Sequence, residues 1–441
     1  MSAPAQAVIG AAAPGDASRE RATIALVGLA HGSSHFFHLT LAPLFPWLKD
    51  AFALSYAELG LLVTVFFVVS AVGQALSGFL VDRVGAWPVM MAALATFVLA
   101  ALVLAGASGY AGLMAGAVLC GVGNAPFHPV DYSILNARVG PTRLGKAYAV
   151  HGVSGSLGWA AAPALLAGTA QWLGWRTAFV CAALVALAVL AAVWRWRVLM
   201  QGVGGVSRAA DPQPVGGAAP GAAPAIADAS SAGPLRPASG ALDGTFAFLR
   251  LPAVWMSFGF FFAWSAALGG VLTFGPEAAR QLHALPVGWV ASCVTVFMLG
   301  SAAGMLAGGM LLTRPERAPQ VVAVSLGVSA LLALLVGLTD WPAWTVPVLF
   351  ALMGLGMGLA GPSRDLLVKR ATPAGATGRV YGMVYSGLDI GMSLSPSLFG
   401  LMMDAGRFGL VWAGIAAFQL LLIGSALNIG HLTGRAAPRA A

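Results

Sequence analysis

Long apolar runs alternate with short polar segments along the whole chain. Each run is at least as long as the roughly 20 apolar residues that a helix needs to cross a bilayer. Twelve runs are predicted to form membrane-spanning helices: residues 24–48, 57–81, 88–108, 110–136, 146–170, 174–194, 251–276, 286–312, 318–338, 343–368, 379–404 and 409–430. The pattern therefore predicts an all-α membrane protein with twelve transmembrane helices.

The twelve runs form two similar sets of six. The sequence Thr-Val-Phe at 64–66, in the second predicted helix, recurs at 295–297 in the eighth. In the fourth and tenth helices, Gly121 and Gly354 are among several matching pairs that share one offset, and this offset is nearly the same as that of the first match. A nearly constant offset over consecutive helices indicates two parallel six-helix repeats, which is a transporter architecture.

A segment rich in Ala, Gly, Pro and Ser separates the two sets. It has too few apolar and aromatic residues to pack, so it is predicted to be a flexible linker. The predicted organisation is a tail (1–23), a six-helix half (24–199), the linker (200–244), a second six-helix half (245–430) and a second tail (431–441).

Charged residues are scarce and lie mainly on one side of the predicted membrane. Only 9% of the residues are charged while 59% are hydrophobic, whereas a soluble domain has about 25% charged residues. With the N-terminus placed in the cytoplasm, eighteen of the 23 Lys and Arg residues fall in the tails, the inner loops and the linker. This asymmetry predicts that both termini are cytoplasmic. We therefore interpret the net charge of +8 as a topology signal and predict no nucleic-acid partner.

Several predicted helices carry polar side chains on one face. Residues at i, i+4 and i+7 of a helix project together, and both the first and the fourth helix show this spacing. Ionisable groups inside a membrane cost roughly 2.5–3.5 kcal/mol on insertion scales and are functional candidates by default. The predicted proton and substrate pathway comprises His31, His35, His38, Asn124, His128, Asp131, His151, Arg364, Asp365, Tyr385 and Asp389.

Within this set, we hypothesise that His35, with His31 or His38, and Asp389 or His128 hold a coupling proton. Two other interpretations of the histidines remain open. A buried imidazole can simply hydrogen-bond a neighbouring carbonyl, or it can bind a metal. A metal site usually includes carboxylate or Cys ligands; none is local to the first helix, so we predict no metal.

Asp131 and Asp365 could each have a role other than proton or substrate binding. Asp131 and Arg364 are related by the same offset as Gly121 and Gly354, so they occupy equivalent positions and could form an ion pair between the halves. Asp365 could instead pair with Lys369 one turn on and anchor the helix end.

Short motifs add a family resemblance over essentially the whole chain. The loop sequence GFLVDRVG at 78–85 resembles the G-x-L-x-D-R-x-G signature of the major facilitator superfamily. Together with the His-x3-His of the first helix, FHP at 127–129 and YSGLDIG at 385–391 resemble its fosmidomycin-resistance-type efflux branch. The fifth helix, GVSGSLGWAAAP at 152–163, is similar to a glycine-rich antiporter motif.

The resemblance implies gating or conformational roles for Asp82, Arg83, Gly85, Gly152, Gly155, Gly158 and Pro163. Close helix packing is the alternative explanation for the fifth-helix glycines. For the glycines of 300–308 and 387–391, which have a similar spacing, packing is the favoured explanation.

The resemblance implies a secondary transporter of a bacterial inner membrane that exports a drug or another small organic solute by alternating access. The proton gradient is the expected driving force, and no cofactor is expected. The expected partners are the solute, protons and the lipid bilayer, with the chain acting as a monomer. Two alternatives stay open, namely proton-symport uptake of a metabolite or organic acid and a non-transporting membrane sensor or assembly factor.

The sequence does not suggest an enzyme. The glycine-rich stretch at 354–361 lies within an apolar run and lacks the following Lys-Ser/Thr of a phosphate-binding loop.

Overall fold

The computed structural model describes residues 14–203, 252–311, 318–371 and 377–435; within these ranges it gives the helix path but not the side chains at a few positions, chiefly 362–385 and 425–435. Its α-helices are α1 (Pro14–His38), α2 (Phe45–Phe52), α3 (Tyr56–Val84), α4 (Ala86–Ala105), α5 (Tyr110–Asn124), α6 (Phe127–Arg138), α7 (Pro141–Leu173), α8 (Trp175–Arg195), α9 (Pro252–Thr273), α10 (Gly275–His283), α11 (Val287–Leu311), α12 (Ala318–Leu338), α13 (Val346–Ala371), α14 (Thr377–Asp404) and α15 (Phe408–Arg435).

These helices form twelve crossings, which confirms the predicted fold class. Helices α5 and α6 together make the fourth crossing, and the short helices α2 and α10 follow the first and seventh. Eight helices in the described ranges are long and apolar enough to span a bilayer by length and composition alone. Helices α1 and α7 are not among the eight, and both carry predicted pathway residues.

Prolines interrupt the first and fourth predicted helices. The run 24–48 was expected to be continuous, but α1 ends at His38 and a short 3-10 turn at Ala42–Leu44 leads into α2. In the fourth crossing, Pro129 lacks the N–H that a continuous helix would bond to the carbonyl of residue 125. The α5–α6 junction falls there, and it leaves Asn124 at a helix end.

The packing repeats between the two halves. A Cβ atom added to Gly121 would lie 2.6 Å from the carbonyl oxygen of Phe66, and one added to Gly354 would lie 2.0 Å from that of Phe297. The two residues of the second contact match those of the first in the sequence repeat, so the repeat corresponds to equivalent helix contacts. The packing explanation for the glycines of 300–308 is also confirmed, because α11 packs through them against the α13 backbone.

The two halves meet through α3 with α14 and through α7 with α11. We call the end of the bundle where α1 begins the terminal side and the opposite end the far side. At the far side, the backbone N–H groups of Tyr56 and Ala57 donate to the two carboxylate oxygens of Asp404, at 2.7 and 2.8 Å. Asp404 of the second half thereby caps the N-terminus of α3 in the first half.

Two further contacts between the halves lie deeper along the same helix pairs, and a third joins the start of α3 to α10. The hydroxyl of Thr64 donates to the carbonyl of Ser393 at 2.5 Å, and that of Thr295 donates to the carbonyl of Ala160 at 3.1 Å. The phenol of Tyr56 donates to the buried carboxylate of Glu277 at 2.9 Å. These bonds lie in the far-side portions of their helices, so the structure is closed on the far side.

Replacing Asp404 with Ala should loosen this closure. The variant keeps Ser55 as the N-cap residue of α3 but loses the carboxylate at the helix N-terminus, which costs up to about 1 kcal/mol. This loss shifts a two-state equilibrium up to roughly fivefold toward the far-side-open state. Spin labels on Leu173→Cys and Leu338→Cys, two exposed far-side helix ends, would report the change as a longer distance population. Asp50→Ala, at an exposed far-side position, is the control. Equal distance distributions in the two variants would contradict the proposed role of the cap.

Candidate functional site

Helices α1, α6 and α7 bring three predicted residues into one buried group. The Nδ1 atom of His31 lies 3.1 Å from Oδ2 of Asp131, and Nε2 of His151 lies 3.0 Å from the same oxygen. All three side chains are nearly inaccessible, and Asp131 is 0% exposed. A single carboxylate oxygen therefore accepts hydrogen bonds from two imidazoles on two other helices.

A second polar group forms around Asn124 at the helix break. Its amide oxygen accepts a hydrogen bond from the hydroxyl of Ser34 at 2.6 Å and one from Nε2 of His38 at 3.0 Å. Its amide nitrogen donates to the hydroxyl of Ser70 on α3 at 2.8 Å. The break between α5 and α6 thus has a structural consequence, because it lets one side chain link α1, α3 and α5.

The three histidines of α1 share one face, as the spacing predicted. The ring centroids of His31 and His35 are 4.4 Å apart, and those of His35 and His38 are 4.7 Å apart. The ring of His31 also stacks on that of His151 at 3.5 Å, and Trp159 lies 4.2 Å from His35. We call this set of rings, together with His128 and Asp131, the histidine cluster.

Two glycines of α7 make room for the cluster. A Cβ atom on Gly155 would lie 2.8 Å from the His35 ring, and one on Gly158 would lie 2.0 Å from the backbone oxygen of Gly32. Gly152, in the same motif, faces open space. The packing explanation therefore holds for Gly155 and Gly158; a gating role for these glycines stays a prediction.

Several polar atoms of the cluster are buried and have no hydrogen-bond partner among the described residues. They are both ring nitrogens of His35, Nδ1 of His38 and of His128, Oδ1 of Asp131 and Nε1 of Trp159. An unpaired buried polar group costs about 1–3 kcal/mol, so such groups call for a functional explanation. A polar group of a bound solute would supply the missing partners.

The cluster has some features of a metal site. Ligand atoms of His31, His128 and His151 all lie within 4.8 Å of one another. Two nitrogens bound to one zinc ion at about 2.0–2.1 Å cannot be more than about 4.2 Å apart. The rings would have to close on an ion, and two of them already bind Asp131. That the site works without a metal stays a prediction.

The other predicted residues lie apart from the cluster or outside the described side chains. Asp389 is half-buried on α14, and no contact found among the described residues joins its carboxylate to the histidines. Pro163 is buried in α7. The side chains of Arg364, Asp365 and Tyr385 lie outside the described residues, so the ion pair between Asp131 and Arg364 is untested.

The three residues of the predicted gating loop lie at the terminal side. Asp82 and Arg83 are exposed at the end of α3, and Gly85 joins α3 to α4. Its φ of 97° is a conformation that favours glycine. Their gating role stays a prediction.

Three members of the site are not predicted from the sequence. Ser34 and Ser70 hold the Asn124 amide, and Trp159 lies against His35. Ser34 sits between His31 and His38 on α1, so its position was a usable signal. Ser70 and Trp159 look like ordinary packing residues in sequence.

A symmetric twelve-helix bundle with ionisable side chains buried inside it is the architecture of secondary transporters. The sequence model of the Major Facilitator Superfamily matches residues 27–396, so the chain belongs to that superfamily. It is therefore a membrane transporter of small solutes and not an enzyme.

Part of the chain is similar to the fosmidomycin resistance protein of Escherichia coli (strain K12). The two are 29% identical over 211 residues, which cover 44% of this chain and 49% of that protein. The similar part thus spans about half the length of that relative.

Solved structures share the fold over nearly the whole chain. A bacterial homolog of the human lysosomal transporter Spinster, in an inward-facing and occupied conformation, has a TM-score of 0.66 at 15% identity, covering 95% of this chain and 97% of that one. The nucleoside transporter NupG (D323A mutant) has a TM-score of 0.68 at 12% identity, covering 93% and 99%. These likenesses show the fold.

Replacing Gly158 with Ala should push α7 away from α1. Overpacking of this kind costs about 1–3 kcal/mol, and it should lower the melting temperature and separate the rings of the cluster. Gly152→Ala, where a methyl group meets nothing, is the matched control. The melting temperature of both variants is measured by heating samples and quantifying the remaining folded protein by size-exclusion chromatography. Equal melting temperatures would mean that the close approach of α7 and α1 is unimportant for stability.

Proposed function

We propose that this chain is a proton-coupled exporter of a small organic solute, and that Asp131 with His31 and His151 carries the coupling. The observation that supports the proposal most is the shared Oδ2 oxygen, 3.1 and 3.0 Å from two imidazole nitrogens in a fully buried setting. The assignment differs from the hypothesis drawn from sequence, in which His35, with His31 or His38, and Asp389 or His128 hold the coupling proton.

The number of protons in this group determines its hydrogen bonds. A buried carboxylate requires a positive partner or hydrogen-bond donors, and imidazole can gain or lose a proton in the physiological range. The other titratable groups of the cluster are His35 and His38 on α1 and His128 on α6. The rings of His35 and His128 lie 4.4 and 5.3 Å from that of His31. Adding or removing one proton therefore changes which bonds connect α1, α6 and α7.

Helix α7 connects this chemistry to the movement of the halves. It carries His151 toward the terminal side, and further along it accepts the hydrogen bond of Thr295 from α11 in the second half. A proton that alters how α7 sits on α1 and α6 thus acts on one of the two contacts between the halves. A ligand or proton shifts such an equilibrium through its different affinity for the two states.

The unpartnered groups beside the shared carboxylate indicate the kind of solute. Trp159 Nε1 is a donor only, and the ring nitrogens of His35 and His128 Nδ1 become donors when protonated. A solute with an anionic acceptor group, such as a phosphonate or a carboxylate, would satisfy these donors, while Oδ1 of Asp131 would require a hydrogen-bond donor. Fosmidomycin, the compound in the name of the E. coli relative, is therefore the first probe.

We assign the chain to a bacterial inner membrane, with both termini in the cytoplasm and function as a monomer. The asymmetry of Lys and Arg supports this orientation. The closed far side would then face away from the cytoplasm, and the cluster would be reached from the cytoplasm, as an exporter requires in its loading state.

Expression of the chain in a fosmidomycin-sensitive bacterium should raise the inhibitory concentration of the drug. The inactive control is the Asp131→Asn variant, expressed at an equal level in the membrane. An increased sensitivity on expression would indicate import instead of export. An unchanged concentration would rule out fosmidomycin as the solute.

In proteoliposomes, Asp131→Asn should abolish solute movement driven by a pH gradient. The amide keeps the size of the side chain but cannot exchange a proton, so solute exchange at equal pH on both sides should continue. His283→Gln, which changes a buried histidine bonded to the carbonyl of Val336, is the control and should transport normally. Gradient-driven transport by Asp131→Asn at the wild-type rate would contradict the coupling role.

A further inference from the structure

A second site lies at the terminal side, between the start of α1 and the end of α8. A pocket of about 290 Å³ opens there, lined by residues that include Arg19, Ala22, Arg195, Trp196 and Val198. Twelve residues separate Arg19 from His31, which is about 18 Å along a helix. The pocket is therefore distinct from the histidine cluster.

The charge of the pocket is positive. The described residues that line it include the two guanidinium groups and no carboxylate. The nearest acidic residue in sequence, Glu20, accepts a hydrogen bond from Arg143 at 2.6 Å and another from the backbone of Gly140 at 3.1 Å. The bond from Arg143 lowers the pKa of Glu20, which keeps that carboxylate charged and engaged elsewhere. In the described part of the chain, no ion pair is found for Arg19 or Arg195.

Apart from Ser18, the rest of the pocket is apolar, and it is open to the surroundings. Trp196 is 52% exposed and Val198 is 72% exposed. Tryptophan is enriched at the boundary between the hydrocarbon core and water. These side chains therefore belong at the level of the lipid headgroups.

Apolar surfaces continue from the pocket toward the membrane centre on both helices. On α1, Leu29 lies seven residues after Ala22 and is 48% exposed; on α8, Leu187 lies eight residues before Arg195 and is 47% exposed. Spacings of seven and eight keep residues on one helix face. Two basic groups thus lie at the headgroup end of an exposed apolar surface.

We propose that this pocket binds an anionic phospholipid, with the phosphate held by Arg19 and Arg195 and an acyl chain along α1 and α8. Guanidinium groups bind phosphate oxygens in pairs of hydrogen bonds. A free phosphate ion would use the two arginines but would leave the apolar part of the pocket unused. The bound lipid fixes the terminal end of α1 against α8, and this inference does not depend on the proposed transport function.

The experiment measures lipid binding to the purified full-length protein by native mass spectrometry. Phosphatidylglycerol, phosphatidylcholine and inorganic phosphate are titrated separately. Each arginine near an anionic lipid surface contributes roughly 1 kcal/mol, so Arg19→Gln/Arg195→Gln should raise the Kd for phosphatidylglycerol about thirtyfold. The matched control, Arg21→Gln/Arg197→Gln, removes two charges from the same two parts of the chain but outside the pocket.

The proposal predicts that phosphatidylglycerol binds more tightly than phosphatidylcholine, that only the pocket variant loses it, and that Arg19→Lys/Arg195→Lys keeps part of the preference. Equal losses in the pocket variant and the control would show a general surface-charge effect and overturn the site. Displacement of the lipid by inorganic phosphate at a similar concentration would show an anion site without lipid specificity and would also overturn the proposal. The arginines are exposed, and size-exclusion profiles check that each variant is folded.

Discussion

The hydrogen bonds of Asp131 to His31 and His151 are the interaction on which the proposed mechanism depends. They join three helices of one half through a single carboxylate oxygen that has no access to solvent. Removing one partner of such a buried group strands the other and costs several kcal/mol. Because the group is buried, a change in its number of protons changes its hydrogen bonds and therefore the positions of the three helices.

The fold supplies this group on a symmetric framework, but among the described residues the histidine cluster lies in one half only. Gly158 packs on the backbone of Gly32, and its repeat equivalent Gly391 packs on that of Phe262. Matching these contacts places Phe261 and Ser265 of α9 where α1 has His31 and His35. The second half therefore keeps the close helix approach without the imidazoles, and it contributes the capping carboxylate of Asp404 to the far-side closure instead.

Much of the fold was predictable because it follows from properties that repeat along the chain. The lengths of the apolar runs predicted the membrane crossings, and the nearly constant offset between matching residues predicted the two halves. The shared face of the α1 histidines followed from helical spacing. The pairing of His151 with Asp131 was not predictable, since it depends on how closely α7 approaches α1, and that distance is set by which glycines face a neighbour. The helix breaks after His38 and Asn124 were not predicted, because run length alone does not show where a proline interrupts an apolar helix.

Proton release or uptake on solute binding is the measurement that tests the central claim most directly. Purified protein in weakly buffered detergent is mixed with the transported solute while a pH indicator follows the number of protons exchanged. The account predicts that the wild-type protein exchanges protons on binding and that Asp131→Asn binds the solute without doing so. Proton exchange of equal size in the two proteins would contradict it.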